Sequence, residues 1–255
     1  MDCDVGSGIA LTVLTLRVRA MKKNLVTVDM SHKSASPPEI GRCLVAWWFK
    51  NGRSYPWRRE RDVYKILVAE IMLQRTRADQ VASVYAEFLQ KFPSVFDLSR
   101  AEEKEIGSYF RKLGLHWKTS LVKKMAEFVV SDYDGVFPRE RKELLRIPFI
   151  GEYISDAIMS FVFNERVIVI DSNVCRIVKR VYDLQVKGEM RRNRTVKEIV
   201  SKLLPSNENS RRLNFALIDF GALICKPIRP LCQQCTINDF CEYYSAVFLS
   251  AQRYS

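Results

Sequence analysis

Apolar side chains recur along this chain mostly at intervals of three and four residues. Ile40, Leu44, Val45 and Trp48 fall on one helical face, as do Ile66, Leu67, Ile71 and Leu73, and again Leu121, Val122, Met125 and Val129. Residues with capping chemistry precede several of these stretches. Ser36-Pro37-Pro38-Glu39 reads as a capping box, with Pro37 at the first helical position, where its missing N–H costs nothing. Asn51-Gly52 stops that helix, and Asp62 can cap the next. Ser99 to Glu102 reads as a second box, opening a helix that runs to Gly114, and Thr195 to Glu198 as a third. Further helices are expected from about Thr119 to Asp134-Gly135, over Arg139–Leu145, from Gly151 to Phe163 and from Asn214 to Ile224. Val167-Ile168-Val169-Ile170 has strand propensity. It is short, lacks an alternating partner and is cut by Asp171-Ser172-Asn173, so it reads as a buried connector. The pattern predicts an all-α fold without internal repeats.

Composition narrows the picture. The chain has 255 residues, 47% of them hydrophobic, which is enough for a real core and excludes a disordered chain. Ten glycines and nine prolines are too few to favour a turn-rich sandwich or barrel. No window offers about 18 uncharged apolar residues, so no membrane-spanning helix is expected. Lys and Arg outnumber Asp and Glu 41 to 29, a net charge of +12 that suits a polyanionic partner. The apolar run Ile9–Leu16 follows Asp2 and Asp4 in place of a basic region, so it is not a signal peptide. Residues 1–35 read as an N-terminal extension, a candidate disordered segment, with Met21 and Met30 as alternative starts.

Three constellations carry chemistry. Four of the seven cysteines, Cys225, Cys232, Cys235 and Cys241, fall within 17 residues. That density points to a soft metal centre in a reducing compartment; a single C-x2-C pair with a long first gap suits an iron–sulfur cluster better than zinc. Leu145 to Gly151 forms a tight turn between two helices, whose backbone N–H groups could hold a phosphate oxygen without reading sequence. Asp171 opens a helix, and in isolation reads as an ordinary N-cap.

These features stand in a telling order: Pro56-Trp57-Arg58, Glu70-Ile71-Met72-Leu73-Gln74-Arg75-Thr76, the hairpin, Asp171, then the cysteines at C-x6-C-x2-C-x5-C spacing. Over roughly residues 36–245 the chain resembles the endonuclease III/MutY superfamily of helix–hairpin–helix DNA glycosylases, and within it the thymine glycosylases that act on G:T mismatches. The subfamily rests on Tyr153, two residues after Gly151 and 18 before Asp171. The matching residue is lysine in strand-cleaving relatives and usually serine in adenine glycosylases. A phenol cannot form the imine that strand cleavage requires. The chain also ends 14 residues after Cys241, leaving no room for the domain with which MutY-like enzymes read 8-oxoguanine. One departure is Phe149, which stands where the family hairpin has a glycine; a positive φ there would strain it.

The resemblance implies two helical lobes flanking a cleft. Residues 61–165 would form a six-helix barrel with the helix–hairpin–helix, residues 36–60 plus 166–245 the iron–sulfur lobe, and residues 246–255 a tail. It implies a monofunctional base-excision glycosylase that flips thymine or uracil out of a G:T or G:U mismatch in double-stranded DNA and hydrolyses its glycosidic bond, leaving an abasic site. Asp171 would stabilise the oxocarbenium-like sugar and orient water, Glu70 would position water or bond the departing pyrimidine, and Tyr153 would contact the flipped base. Ile150, Gly151 and Glu152 would clamp a phosphate, Gln74 and Leu115 would fill the hole in the duplex, and Arg75 would meet the widowed guanine. Arg53, Arg58, Arg77, Lys118 and Lys123 are further candidates for steering DNA, as are Lys226 and Arg229 inside the cluster loop. The four cysteines would hold a 4Fe–4S cluster. A monomer in the cytoplasm, on the nucleoid of a bacterium or archaeon, is expected. Two alternatives follow from the same residues: an adenine glycosylase lacking its reader domain, suggested by Glu70 and Gln74-Arg75-Thr76, and a non-catalytic mismatch-binding protein, suggested by Phe149.

Overall fold

The computed structural model describes residues 35–252, so the expected N-terminal extension lies outside the described residues except for Ala35. Within them the chain is helical and contains no strand. Helix α1 (Pro37–Asn51) starts where the capping box places it. The Glu39 carboxylate accepts from the Ser36 backbone at 2.6 Å and from its hydroxyl at 2.7 Å. After a 3-10 turn over Pro56–Arg58, α2 (Val63–Leu73) is capped by Asp62, which accepts from the Lys65 N–H at 2.9 Å. Helices α3 (Ala78–Lys91), α4 (Val95–Arg100) and α5 (Glu103–Lys112) follow.

The expected box at Ser99 is not made. Ser99 sits in the last turn of α4, and its hydroxyl donates to the Phe96 carbonyl at 2.9 Å. The box is formed by Ser94 and Asp97, five residues earlier. Pro93 ends the preceding segment, so Ser94 is the first side chain able to cap, and burial of Val95 and Leu98 fixes that register. Helix α5 stops at Lys112, just before Gly114 at φ 69°.

Helix α6 (Thr119–Tyr133) ends through Asp134 and Gly135, both left-handed. Then come α7 (Arg141–Leu144), α8 (Glu152–Phe161) and α9 (Ser172–Val181). Helix α10 (Arg194–Lys202) is capped two residues before the expected box. Asn193 caps it through the Val196 N–H, and Glu198 instead pairs with Arg194 at 2.8 Å. Helix α11 (Ser210–Leu223) is capped by Asn209, and α12 (Glu242–Gln252) takes in most of the segment expected as a tail.

Val167–Ile170 is an irregular connector with Val169 fully buried. Its backbone polar groups are met by side chains. The Val169 N–H donates to Asn214 Oδ1 at 2.9 Å, and the Val167 carbonyl accepts from Asn214 and Ser210.

The apolar side chains bury in two clusters. The first runs from Trp57 to Phe161 and adds Val169 and Phe215; the second takes Ile40–Trp47 and Ile168–Ile237. Helix α2 packs on α3 and α8, and α4 on α6, around the first; α1 and α9 pack on α11 around the second. Trp57, placed by the sequence reading with the second group, stacks on Tyr55 at 4.8 Å and meets Tyr85 edge-on at 5.4 Å in the first. Each fully buried Leu, Ile, Val or Phe stabilises its cluster by roughly 1.5–3 kcal/mol.

Candidate active site

Helix α2 is apolar on nearly every face, so its single carboxylate is carried inside. Glu70 lies between Ala69 and Ile71 and is 5% exposed. Helix α8 brings Tyr153 against it, and the phenol donates to Glu70 Oε2 at 3.0 Å. Burial raises the Glu70 carboxyl from 4.5 to about 7. The Tyr153 bond and the positive charge of Arg58 pull it down, and the negative charge of Asp171 pushes it up. Burial, then the charges of Glu70 and Asp171, hold the Tyr153 phenol well above its ordinary value, so it keeps its proton as a donor.

Asp171 stands at the start of α9, where its charge acts on both groups. Its Oδ1 accepts from the Val174 N–H at 2.8 Å, and its Oδ2 from the Asn173 amide at 2.7 Å. The residue is therefore an N-cap whose charge also reaches Glu70 and Tyr153. The two bonds fix the direction of its carboxyl group.

The sequence reading assigned Arg53 and Arg58 to the surface; the structure turns both inward. Asp219, on α11, is fully buried. It accepts from Trp48 Nε1 at 3.1 Å, from the Arg53 backbone at 3.0 Å, from Arg53 Nε at 2.9 Å and from Arg58 Nη2 at 2.8 Å. The Arg58 guanidinium lies 4.0 Å over the Phe215 ring, and its Nε and Nη1 are buried without a partner. Two orphaned donors on a guanidinium whose charge acts on Glu70 and Tyr153 are unusual, because a buried N–H without an acceptor costs about 1–3 kcal/mol. The signal for this cluster was legible: an acid alone in the apolar run Phe215-Ala216-Leu217-Ile218-Asp219-Phe220 must find a buried cation.

The hairpin closes despite its missing glycine. Phe149 adopts φ 73°, its ring packs on the first cluster, and the Ile150 N–H donates to the Ile147 carbonyl at 3.1 Å. Ile150 is buried, whereas Gly151 and Glu152 are exposed, with Glu152 3.6 Å from Lys197. A Cβ on Gly151 would meet no protein atom within 4 Å. The first bond of α8 runs from the Ser155 N–H to the Gly151 carbonyl, so the amides ahead of it open outward from the helix start.

At the α2–α3 turn, Arg75 is exposed at φ 67° and Gln74 is half-buried. Lys118 is fully buried and donates to the Ile71 carbonyl at 2.7 Å and to Gln74 Oε1 at 2.9 Å. Lys123 donates to the carbonyls of Ser99 and Ala101. Of the steering candidates on the chain's first half, Arg75 and Arg77 are therefore the exposed ones; the others serve carbonyls or a buried acid, which charge counting cannot foresee. Leu115 belongs to the first cluster and is 3% exposed, so it reads as core and not as a side chain free to enter a duplex.

Cys225, Cys232, Cys235 and Cys241 line one pocket, together with Arg180, Tyr243 and Tyr244. Arg180 Nη1 donates to Cys225 Sγ at 3.4 Å. Among the described residues, no three His, Cys, Asp or Glu side chains close around a single metal-ion position. Arg229, in the same loop, is exposed at φ 51°, while Lys226 is half-buried. No helix among the described residues is long and apolar enough to cross a membrane.

With this geometry in view, comparison with known proteins gives a consistent result. Residues 68–202 match the model of the HhH-GPD superfamily base excision DNA repair protein. A thymine/uracil-DNA glycosylase of Methanothermobacter thermautotrophicus is 32% identical over 79% of this chain and 91% of its own length. An adenine DNA glycosylase of Buchnera aphidicola subsp. Baizongia pistaciae is 30% identical over 79% of this chain but 57% of its own length. The solved structure of a thermostable thymine-DNA glycosylase superposes with a TM-score of 0.76 at 30% identity, covering 82% of this chain and 97% of that one. A chain that is helical throughout its described residues, with a buried carboxylate paired to a phenol on the helix after the hairpin, and family matches spanning both, belongs to the HhH-GPD superfamily of base-excision DNA repair glycosylases.

Proposed function

We propose that this DNA glycosylase is monofunctional and hydrolyses the N-glycosidic bond of thymine and uracil opposite guanine in double-stranded DNA. The observation that carries the reading is the Tyr153–Glu70 hydrogen bond at 3.0 Å, with the charge of Asp171 acting on both groups. A base everted into this site would bring its sugar to Asp171, whose carboxylate would stabilise the cation developing at C1′ and orient the attacking water. The departing pyrimidine carries its negative charge on O2 and O4. Glu70 in its acid form and the two unpartnered N–H groups of Arg58 are donors suited to that charge. Tyr153 holds Glu70 and offers no amine, so no imine with the sugar can form and the strand stays intact.

Outside the pocket, the amides at the start of α8, with exposed Gly151 and Glu152 beside them, would hold a phosphate oxygen; buried Ile150 supports the turn. Gln74 and Arg75 would face the opened pair. Cys225, Cys232, Cys235 and Cys241 would hold a 4Fe–4S cluster, which would tie their loop together. Sulfur ligands of such a cluster each meet a different iron, so they need not close around a single ion. Fresh protein should absorb near 400 nm, and a colourless, zinc-loaded protein would reject the cluster. The thiolates suit a reducing, cytoplasmic setting, with a prokaryotic monomer on the nucleoid as the expected form.

An adenine-releasing activity is the second reading. It is favoured by Glu70, which at about 7 is poised to hand a proton to a purine N7. One assay separates the two. Labelled duplexes carrying T:G, U:G, A:G and A:8-oxoguanine are incubated with the protein and developed with and without alkali. Alkali-dependent cleavage of the T and U strands is expected. Cleavage confined to the adenine strands would overturn the target, and nicking without alkali would overturn monofunctional action.

A further inference from the structure

Three loops meet around the Lys118 ammonium. It bonds the C-terminal end of α2 and Gln74, lies 5.2 Å from the Trp117 ring and 5.8 Å from the Phe149 ring of the hairpin, and feels the charge of Arg75. Glu70 is the residue before Ile71, whose carbonyl Lys118 holds, so this platform adjoins the candidate active site. The sequence reading chose Leu115 as the side chain of this loop that enters DNA. Leu115 is 3% exposed, whereas Trp117, two residues on, is 52% exposed. Trp47 and Trp57 are buried, and Trp48 is half-buried with its indole N–H bonded to Asp219. An exposed indole beside an ammonium that is itself tied to the end of α2, in a protein whose substrate must have a base pair opened, has one natural partner. An unstacked base offers a π-face, and stacking on an aromatic side chain needs no particular sequence.

We infer that Trp117 is a DNA-contacting residue that stacks on a nucleobase left open at the mispair, presented by the platform that Lys118 ties to α2. The inference rests on the glycosylase reading above. The test uses the full chain and a duplex with one central G:T pair. Trp117 emission should be quenched by the bound duplex and become shielded from acrylamide, and W117F should abolish that signal. By anisotropy of labelled DNA, W117A should weaken binding roughly tenfold and W117F less than about threefold, in line with stacking on a single base. Equal affinity for wild type and W117A, or an indole still open to acrylamide in the complex, would overturn it. A packing role alone would lower thermal stability without changing acrylamide access. Base release is scored separately: shielding without release would sink the glycosylase reading and leave this one, and release without shielding would do the reverse.

Discussion

Glu70 is held between burial, which favours its proton, and the Tyr153 and Arg58 contacts, which favour its charge. Its folded value of about 7 lies above the 4.5 of an ordinary glutamate. The sign of the linkage follows. Stability from this group is fully present below pH about 4.5 and is lost as pH rises through about 7, roughly 3 kcal/mol in all. Glu70→Gln should therefore flatten the pH dependence of stability over that window, measurable by urea denaturation at a series of pH values. Single-turnover base release by the wild type should fall above pH about 7 as the acid form is lost; an unchanged high-pH limb in Glu70→Gln would remove Glu70 as a proton donor. Glu70 and Tyr153 were legible in the sequence because each stands at a fixed step from a motif. The orphaned donors of Arg58 were not, since a Pro-Trp-Arg tripeptide says nothing about whether its guanidinium faces water or a cavity.

At the scale of elements, α9 carries Asp171 and α11 sets where α9 lies. The two are in close contact at Gly221, where an added Cβ would stand 2.5 Å from the Cβ of Asn173. Asn173 donates to Asp171, and Arg176 bonds both Asn173 and the Gly221 carbonyl. A methyl at Gly221 must push α9 outward and displace the amide that aims the carboxylate. Gly221→Ala is expected to slow single-turnover base release about tenfold or more, since small misplacements near the reacting centre are costly, with duplex affinity nearly unchanged. Equal losses in both measurements would show that the two helices merely lose stability. Local rules succeeded at Ser36, Asp62 and Asp171, where a cap directly precedes a periodic run. They failed at Ser99 and Thr195, because two candidate caps lay within a few residues and burial of Val95, Leu98 and Val196 chose between them.

For the whole molecule, the decisive feature is the seam between the two apolar clusters. Asp219 sits there with Arg53 and Arg58, and Arg211 reaches across to the carbonyls of Phe161 and Arg58. Asp219→Ala would strand a largely buried guanidinium, a loss of about 3–5 kcal/mol. A fall in Tm of roughly 6–20 °C is expected for a chain of this size. A Tm within about 2 °C of wild type would show that the seam does not depend on this acid. By itself, the sequence determined the helical class, the helix starts at Ser36, Asp62 and Asp171, the grouping of four cysteines and the order of the motifs. All of these depend on spacing along a few turns of chain, where periodicity and capping act. Only the tertiary structure decided that Arg58 turns inward, that Lys118 is buried, that Trp117 and not Leu115 meets solvent, and that residues as far apart as Glu70 and Tyr153 share one hydrogen bond. Those outcomes depend on how two cores pack against each other and which charges must be desolvated together, and no local pattern records that balance.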